Sequence, residues 1–433
     1  MLSKKVQLGL GITGVYVSYT GYVYTRSQME IQQRQRLYLD LMSEGLLDEQ
    51  VKLVDPRFRS LKILGRFENP FPEYRPQTLF EFVGMRFAEL TQHGRRGGLP
   101  SDPEIIKKNL PLAVPDFDLI AASRRGEETV QGYKDLPPLQ DRLSYTWLGQ
   151  SCALLQISSV SFMLDPLFAD HLVNRYLGPQ RYIPAPASLD TIINKTGGAP
   201  DFIMVSHDHP DHLDNDAISK IGNRSQWIVP LGLGDYLKDR GVTNVVEMDW
   251  WDRMPLESGS SKRSGKYEIV CLPSMHWAGR TLLDSNSRLW CSFMVLRDGK
   301  AIFYHGGDTG YSGELFRKLG EEFGPVKFSA LPIGQYLPQW HQGPRHVAPQ
   351  ESVQIMKDLN CHKMVGVHWG TFVLSWENYL DPARQLTQLA LKESRPNNII
   401  VPQCGRTMVM NLAKMDFKHD DKAEEQARTV VYK

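Results

Sequence analysis

The sequence predicts an α/β domain in which helices cover packed sheets and a polar cluster gathers at strand ends. Three observations carry that expectation. Short apolar runs at 202–205, 267–272, 301–304 and 364–367 read as buried strands. Helical stretches at 213–221, 313–320 and 349–358, the last opened by Pro349, fit between them as a covering layer. Each apolar run is followed by a side chain of a kind that binds metal: His207, His276, Asp308 and His368. A rigid sheet assembles a polar cluster from distant parts of a chain in this way.

The elements follow in order. Residues 6–25 carry no charge, with Lys4 and Lys5 before them and Arg26 after. About 20 helical residues suffice to cross a hydrocarbon core. Gly14 and Ser18 suit close helix packing in lipid, and the tyrosines suit the interface. A single N-terminal span is therefore expected, with a cleaved signal peptide and a buried or interfacial helix as the alternatives. No acidic residue occurs before Glu30, which resembles the bias of a mitochondrial presequence. Basic residues on both sides of the stretch leave its topology open. Residues 27–50 have helical character, and 94–117, rich in Gly and Pro, read as a wrapping linker. A Ser/Gly/Lys insertion at 258–265 reads as an exposed hairpin loop, and the charged tail as solvated. The expected division is an anchor and targeting segment at 1–26, an extension at 27–140, the core domain at 141–412 and a tail at 413–433.

The chemistry centres on His207-Asp208-His209-Pro210-Asp211-His212, a His-x-His-x-Asp-His pattern directly after a strand. In an extended loop His207 and His209 point the same way and grip one ion. Asp211 and His212, past the turn, grip a second. His276 completes the first set and His368 the second, and Asp308 has two oxygens with which to bridge both. Imidazole and carboxylate suit zinc or a neighbouring first-row metal. Two such ions activate a water and clamp the oxygens of a displacement at phosphorus.

Composition excludes some classes. The 433 residues are 41% hydrophobic and 23% charged, enough for one large core plus extensions. A formal net charge of +1 gives no case for a nucleic-acid partner. The five cysteines show no paired spacing and read as free thiols.

Beyond the central motif, several segments make a specific pattern: 146–149 (TWLG), 164–168 (LDPLF), 178–182 (GPQRY), 249–251 (DWW), 273–277 (PSMHW), 307–311 (GDTGY), 332–336 (PIGQY) and 368–372 (HWGTF). Together they resemble the N-acylphosphatidylethanolamine-hydrolysing phospholipase D family of the metallo-β-lactamase superfamily, over roughly residues 140–410. Asn69-Pro70-Phe71-Pro72 resembles the segment preceding that core. The resemblance implies a four-layer αβ/βα sandwich and two Zn2+ per chain held by His207, His209, Asp211, His212, His276, Asp308 and His368. It implies hydrolysis of a membrane phospholipid to an N-acylethanolamine and phosphatidic acid. Fungal relatives include mitochondrial membrane proteins, so the inner mitochondrial membrane is the expected location, and a homodimer is compatible. Asp211 and Asp308 are the expected catalytic carboxylates. Tyr311, Gln335, Tyr336 and His346 are expected in the substrate cleft, while Asp214 and Gln150 are expected to stand behind the ligands. Gln150 is a departure, because relatives commonly carry histidine there. A sugar-phosphate lactonase, a tRNA 3′-end nuclease and an inactive membrane scaffold are the competing readings.

Overall fold

The computed structural model describes residues 3–44, 55–91, 97–173, 178–256, 265–281, 283–414 and 416–418. The chain opens on helix α1 (Lys4–Ser43), begun by Ser3, whose side chain accepts from the Val6 N–H. A short hairpin, β1 (Leu61–Ile63) and β2 (Arg66–Glu68), precedes α2 (Leu79–Thr91), α3 (Pro103–Asn109) and α4 (Phe117–Arg124). The first sheet then begins with β3 (Arg142–Gly149), β4 (Cys152–Ile157) and β5 (Val160–Leu164). It continues through α5 (Leu189–Lys195), β6 (Phe202–Met204), α6 (Asn215–Ile221), β7 (Gln226–Pro230), α7 (Leu233–Lys238) and β8 (Val245–Met248). The second sheet holds β9 (Arg253–Pro255), β10 (Tyr267–Leu272), β11 (Ser292–Arg297), β12 (Lys300–His305), β13 (Phe328–Pro332), β14 (Lys363–Val367) and β15 (Ile399–Ile400). Its helices are α8 (Gly313–Phe323), α9 (Gln339–Gln342), α10 (Pro349–Asp358) and α11 (Asp381–Lys392). The chain returns to the first sheet as β16 (Thr407–Asn411) and β17 (Asp416–Lys418).

Among the described residues the first sheet runs β17-β16-β3-β4-β5-β6-β7-β8 and the second β15-β14-β13-β12-β11-β10-β9. Both are mixed: β5 to β8 and β12 to β15 are parallel, and the remaining pairs antiparallel. The parallel strands β6, β13 and β14 are buried on both faces, which is why they read as continuous apolar runs rather than alternating ones. One cluster, including Tyr145, Phe162, Phe293, Phe303 and Phe328, fills the space between sheets. A second, including Ile192, Ile203, Ile218 and Leu237, lies beneath α5, α6 and α7. This is the expected layered α/β sandwich. The expected helices at 213–221, 313–320 and 349–358 are α6, α8 and α10, with Asp214 capping α6 and Pro349 opening α10.

The N-terminus corrects the expected span. No helix among the described residues is long and apolar enough to cross a membrane. Gln7, Thr13, Ser18, Thr20, Thr25 and four glycines dilute the uncharged stretch. The helix also runs on without a break to Ser43. Its second half docks on the extension, where Arg34 donates to the carbonyls of Arg59 and Ser60, and the Arg57 guanidinium lies 3.6 Å above the Tyr38 ring. Its first half is exposed, Leu8 at 67% and Val15 at 72%, and touches α2 through Tyr16, whose hydroxyl accepts from the Leu79 N–H. The extension itself is locked down: Phe71 is buried against Phe58 and Trp250. Residues 258–264 of the insertion and 419–433 of the tail lie outside the described residues.

Candidate metal centre

Strand ends from both sheets deliver the site. β6 leads to His207, β10 to His276, β12 to Asp308 and β14 to His368. β3 leads to Gln150 and β5 to Asp165. Two features force the loops together. An isolated bridge joins Met275 to Gly310, tying the His276 loop to the Asp308 loop. Gly307 has φ 56°, and a Cβ there would stand 2.7 Å from the Ser206 Cβ, so only glycine lets the Asp308 loop lie against the His207 loop. His368 itself is held at φ 62°, an uncommon conformation of the kind that collects at functional sites.

The seven expected ligands converge, all buried. His207, His209 and His276 form one group and Asp211, His212, Asp308 and His368 another, with the ligand atoms of each within 4.8 Å of one another. In the second group the His212 and His368 Nε2 atoms each lie 3.1 Å from the Asp308 Oδ2, and the His368 Nε2 lies 3.2 Å from the Asp211 Oδ2. Tetrahedral ligands about 2.1 Å from a metal stand about 3.4 Å apart, so these spacings suit one ion. The same Asp308 oxygen is 3.9 Å from the His207 Nε2 and 3.7 Å from the His276 Nε2, placing it between the groups. His346 joins them: its Nδ1 is 3.7 Å from the Asp308 Oδ2, and its ring packs on those of His276 and His368.

Electrostatics separates the two groups. Burial and the neighbouring imidazoles hold His207 well below its ordinary pKa. Burial likewise brings His209 to about 4 and His276 to about 3, so these rings are neutral and offer lone pairs. In the second group burial opposes charge on the histidines, yet the surrounding carboxylates raise His212 well above its ordinary value and His368 to about 9. Protons there stand where a cation fits. Buried polar atoms are normally partnered, but the His209 Nε2, His212 Nε2 and Asp308 Oδ1 have no hydrogen-bond partner among the described residues. Unpartnered lone pairs, neutral imidazoles and two carboxylates in one buried cluster make a donor set that fits divalent cations.

The surrounding side chains depart from expectation in instructive ways. Asp214, expected to orient a ligand histidine, accepts instead from the N–H groups of Asp216 and Phe168 and is a helix cap. Asp165 does the orienting. It is fully buried, its Oδ2 lies 2.9 Å from the His212 Nδ1 and 2.9 Å from the His305 Nε2, and it accepts from the Ser206 hydroxyl. The signal was present, since Asp165 follows an apolar run as the ligands do. The Gln150 side-chain amide lies against two of the candidate ligands, 3.0 Å from the Asp211 Oδ2 and 2.9 Å from the His368 Nε2. Tyr311 and Tyr336, expected in the cleft, are occupied elsewhere: one donates to Asp358 and stacks on Phe316, and the other accepts from Gln385. Gln335 does line a cleft that reaches His368. Asn69 was missed as a support; its side chain donates to the His276 carbonyl at 2.7 Å.

Two packed mixed sheets with a buried His/Asp cluster at their strand ends define a metal-dependent hydrolase of the metallo-β-lactamase kind, and the beta-lactamase superfamily domain matches residues 162–369. The mitochondrial N-acyl-phosphatidylethanolamine-hydrolyzing phospholipase D of Saccharomyces cerevisiae is 38% identical over 92% of this chain and 87% of its own length. The N-acyl-phosphatidylethanolamine-hydrolyzing phospholipase D 1 of Caenorhabditis elegans is 35% identical over 67% of this chain and 77% of its own length. The chain belongs to the N-acyl-phosphatidylethanolamine-hydrolyzing phospholipase D family.

Proposed function

We propose that this protein hydrolyses N-acylphosphatidylethanolamine to an N-acylethanolamine and phosphatidic acid. The observation that carries the reading, beside family membership, is the pair of ligand groups joined through Asp308. We assign His207, His209 and His276 to one zinc, Asp211, His212 and His368 to a second, and Asp308 to both. When bound, the zinc pair supplies a nucleophilic water and positive charge for the phosphate oxygens. The chain does the rest. The water oxygen bonds to phosphorus, the bond from phosphorus to the ethanolamide oxygen breaks, and the proton that the water gives up ends on the leaving oxygen. Although burial alone would raise it, His212 and His368 hold the Asp211 carboxyl well below its ordinary pKa; it is therefore ionised but weakly basic, suited to orienting that proton on its way to the leaving oxygen rather than keeping it. His346, buried between both groups, contacts the phosphate. Asp165 keeps the His212 Nδ1 occupied, so that Nε2 faces the ion.

The lipid reaches the site at a membrane surface. The exposed apolar residues of α1 and of α2, among them Phe80 and Phe87, would rest in the headgroup boundary without crossing. The yeast relative's name points to the mitochondrion as the compartment. The division at 1–26, 27–140, 141–412 and 413–433 is retained as a working description, with α1 running through its first boundary. The test is conversion of N-acylphosphatidylethanolamine in mixed micelles by purified protein. His209→Ala is expected to abolish it. Turnover of a soluble lactone or a tRNA precursor, with no lipid cleavage at matched metal loading, would overturn the reading.

A further inference from the structure

We infer that Gln150 is a further catalytic residue: one N–H of its side-chain amide anchors Asp211, and the other donates to an oxygen of the substrate's phosphate. The inference rests on the proposed reaction and adds to it a neutral donor for the charge that builds on that phosphate.

The backbone places this side chain with care. Gln150 and Ser151 form the turn between β3 and β4, where Gly149 pairs with Cys152. Gln150 has φ 51°, a conformation that hairpin turns usually give to glycine, asparagine or aspartate. Its N–H donates to the Thr371 hydroxyl at 2.7 Å, and its carbonyl accepts from the Trp147 indole at 2.7 Å and from the His368 N–H at 2.9 Å. Trp147 also stacks on Trp369, so the loop from His368 to Thr371 is fastened to this turn. The residue is only 1% exposed. An uncommon conformation held on several sides beside a ligand cluster is the mark of a side chain kept for its chemistry.

A hydrogen count gives that chemistry. A side-chain amide nitrogen carries two hydrogens. The Asp211 Oδ2, 3.0 Å from the Gln150 Nε2, accepts one. The other is turned toward the His368 Nε2 at 2.9 Å. That ring nitrogen is the atom His368 offers to a cation, and a lone pair given to a cation cannot also accept a hydrogen. The second N–H is then left inside the cluster, free for an oxygen of the substrate. His209 and Asp211 are the ligands nearest the surface, at 8% and 9% exposed, so the cluster opens on the side where Asp211 meets Gln150. A phosphodiester offers oxygens that only accept, and they gain negative charge as a fifth bond forms at phosphorus. A lysine in this place would compete with the cations, and a glutamate would repel the phosphate. An amide donates without adding charge of either sign.

The experiment titrates inorganic phosphate into the zinc-loaded full chain by calorimetry and measures kcat and KM for N-acylphosphatidylethanolamine beside it. Gln150→Met keeps the length of the side chain and removes both N–H groups. It is expected to weaken inorganic phosphate about 10-fold and to lower kcat about 100-fold, with a smaller change in KM. Gln150→His returns an N–H and is expected to bind phosphate within about 3-fold of wild type. Zinc affinity, read by competition with a chelator, separates this role from a merely structural one, since a residue that only orients Asp211 would move zinc and leave phosphate alone. Wild-type phosphate affinity in Gln150→Met, whatever its zinc affinity, overturns the inference. Should that variant not fold, Gln150→Glu carries the same test: it keeps the size and puts a repelling oxygen in place of the NH2, and phosphate binding retained there overturns the inference equally. If phosphate binding depends on Gln150 but the wild type releases no N-acylethanolamine from the lipid, the proposed reaction fails and the phosphate contact stands.

Discussion

Replacing Asp165 by Asn changes one atom and should misdirect a ligand. The Asp165 Oδ2 takes three contacts, from the Ser206 hydroxyl at 2.8 Å and from the His212 Nδ1 and His305 Nε2 at 2.9 Å each, while Oδ1 accepts from the Ser206 N–H at 2.7 Å. Burial raises its pKa, but His305 and His212 bring it down to about 2, so it is an ionised acceptor at both oxygens. In the variant one oxygen becomes an NH2 group. If it faces His212, that ring must present a lone pair at Nδ1 and carry its proton on Nε2, the atom 3.1 Å from Asp308. A protonated Nε2 cannot hold a metal. If the amide turns the other way, its NH2 meets the Ser206 N–H. Either arrangement leaves one buried donor opposed, worth about 1–3 kcal/mol of stability. Loss of a partner that orients a ligand costs about 10–100-fold in metal affinity. Zinc titration against a competing chelator should therefore show one weakened equivalent, with the other close to wild type. Two zinc equivalents bound at wild-type affinity by Asp165→Asn would refute the argument that Asp165 sets the His212 tautomer.

Other perturbations give separate readings. Asp308→Asn should weaken both metal equivalents, whereas a single histidine variant should weaken mainly one, because one Asp308 oxygen serves both groups; elemental analysis finding one equivalent untouched would contradict the bridge. Replacing Leu8, Ile12, Val15, Phe80 and Phe87 together by Ser should release the protein from phospholipid vesicles in a flotation assay while sparing activity on detergent-dispersed substrate, since all five are exposed and distant in sequence from the ligands. Burial, partly offset by Arg66, lifts Glu68 from its ordinary 4.5 to about 7. The folded state thus holds that proton to higher pH than the unfolded chain, and stability falls as pH rises from about 4.5 through 7. Glu68→Gln should melt higher than wild type at pH 8 and equally at pH 4; a constant difference across that range would reject the assignment.

Much of this site was legible because metal ligands are few in kind and arrive at strand ends. The His-x-His-x-Asp-His run and the later His276, Asp308 and His368 all sit where an apolar run stops, and the sheets bring those stops together. What stayed hidden was hydrogen bonding across the fold. Nothing near Asp214 in the sequence says that its oxygens are consumed by Asp216 and Phe168, or that Asp165, 47 positions before His212, is the partner instead. Tyr311 and Tyr336 share motifs with site residues yet spend their hydroxyls on α10 and α11. The N-terminal stretch misled for another reason. Absence of charge is not the same as apolarity, and glycines, threonines and tyrosines hold its hydropathy below what a span requires.

The extension is more than a tether, because its hydrogen bonds end in the site. Asn69 donates to the His276 carbonyl, and the His276 Nδ1 lies 2.9 Å from the Arg345 carbonyl. Arg345 in turn donates to the Arg75 and His341 carbonyls, and His341 lies 2.6 Å from Glu81 on α2. His276, a candidate ligand, is thus fixed on one side by the hairpin extension and on the other by a loop that α2 pins through Glu81. The same helix carries Phe80 and Phe87 on the exterior. The apolar surface offered to lipid and the imidazole offered to metal are therefore parts of one hydrogen-bonded unit. That geometry explains why a chain with an ample core of its own also folds residues 55–91 against it.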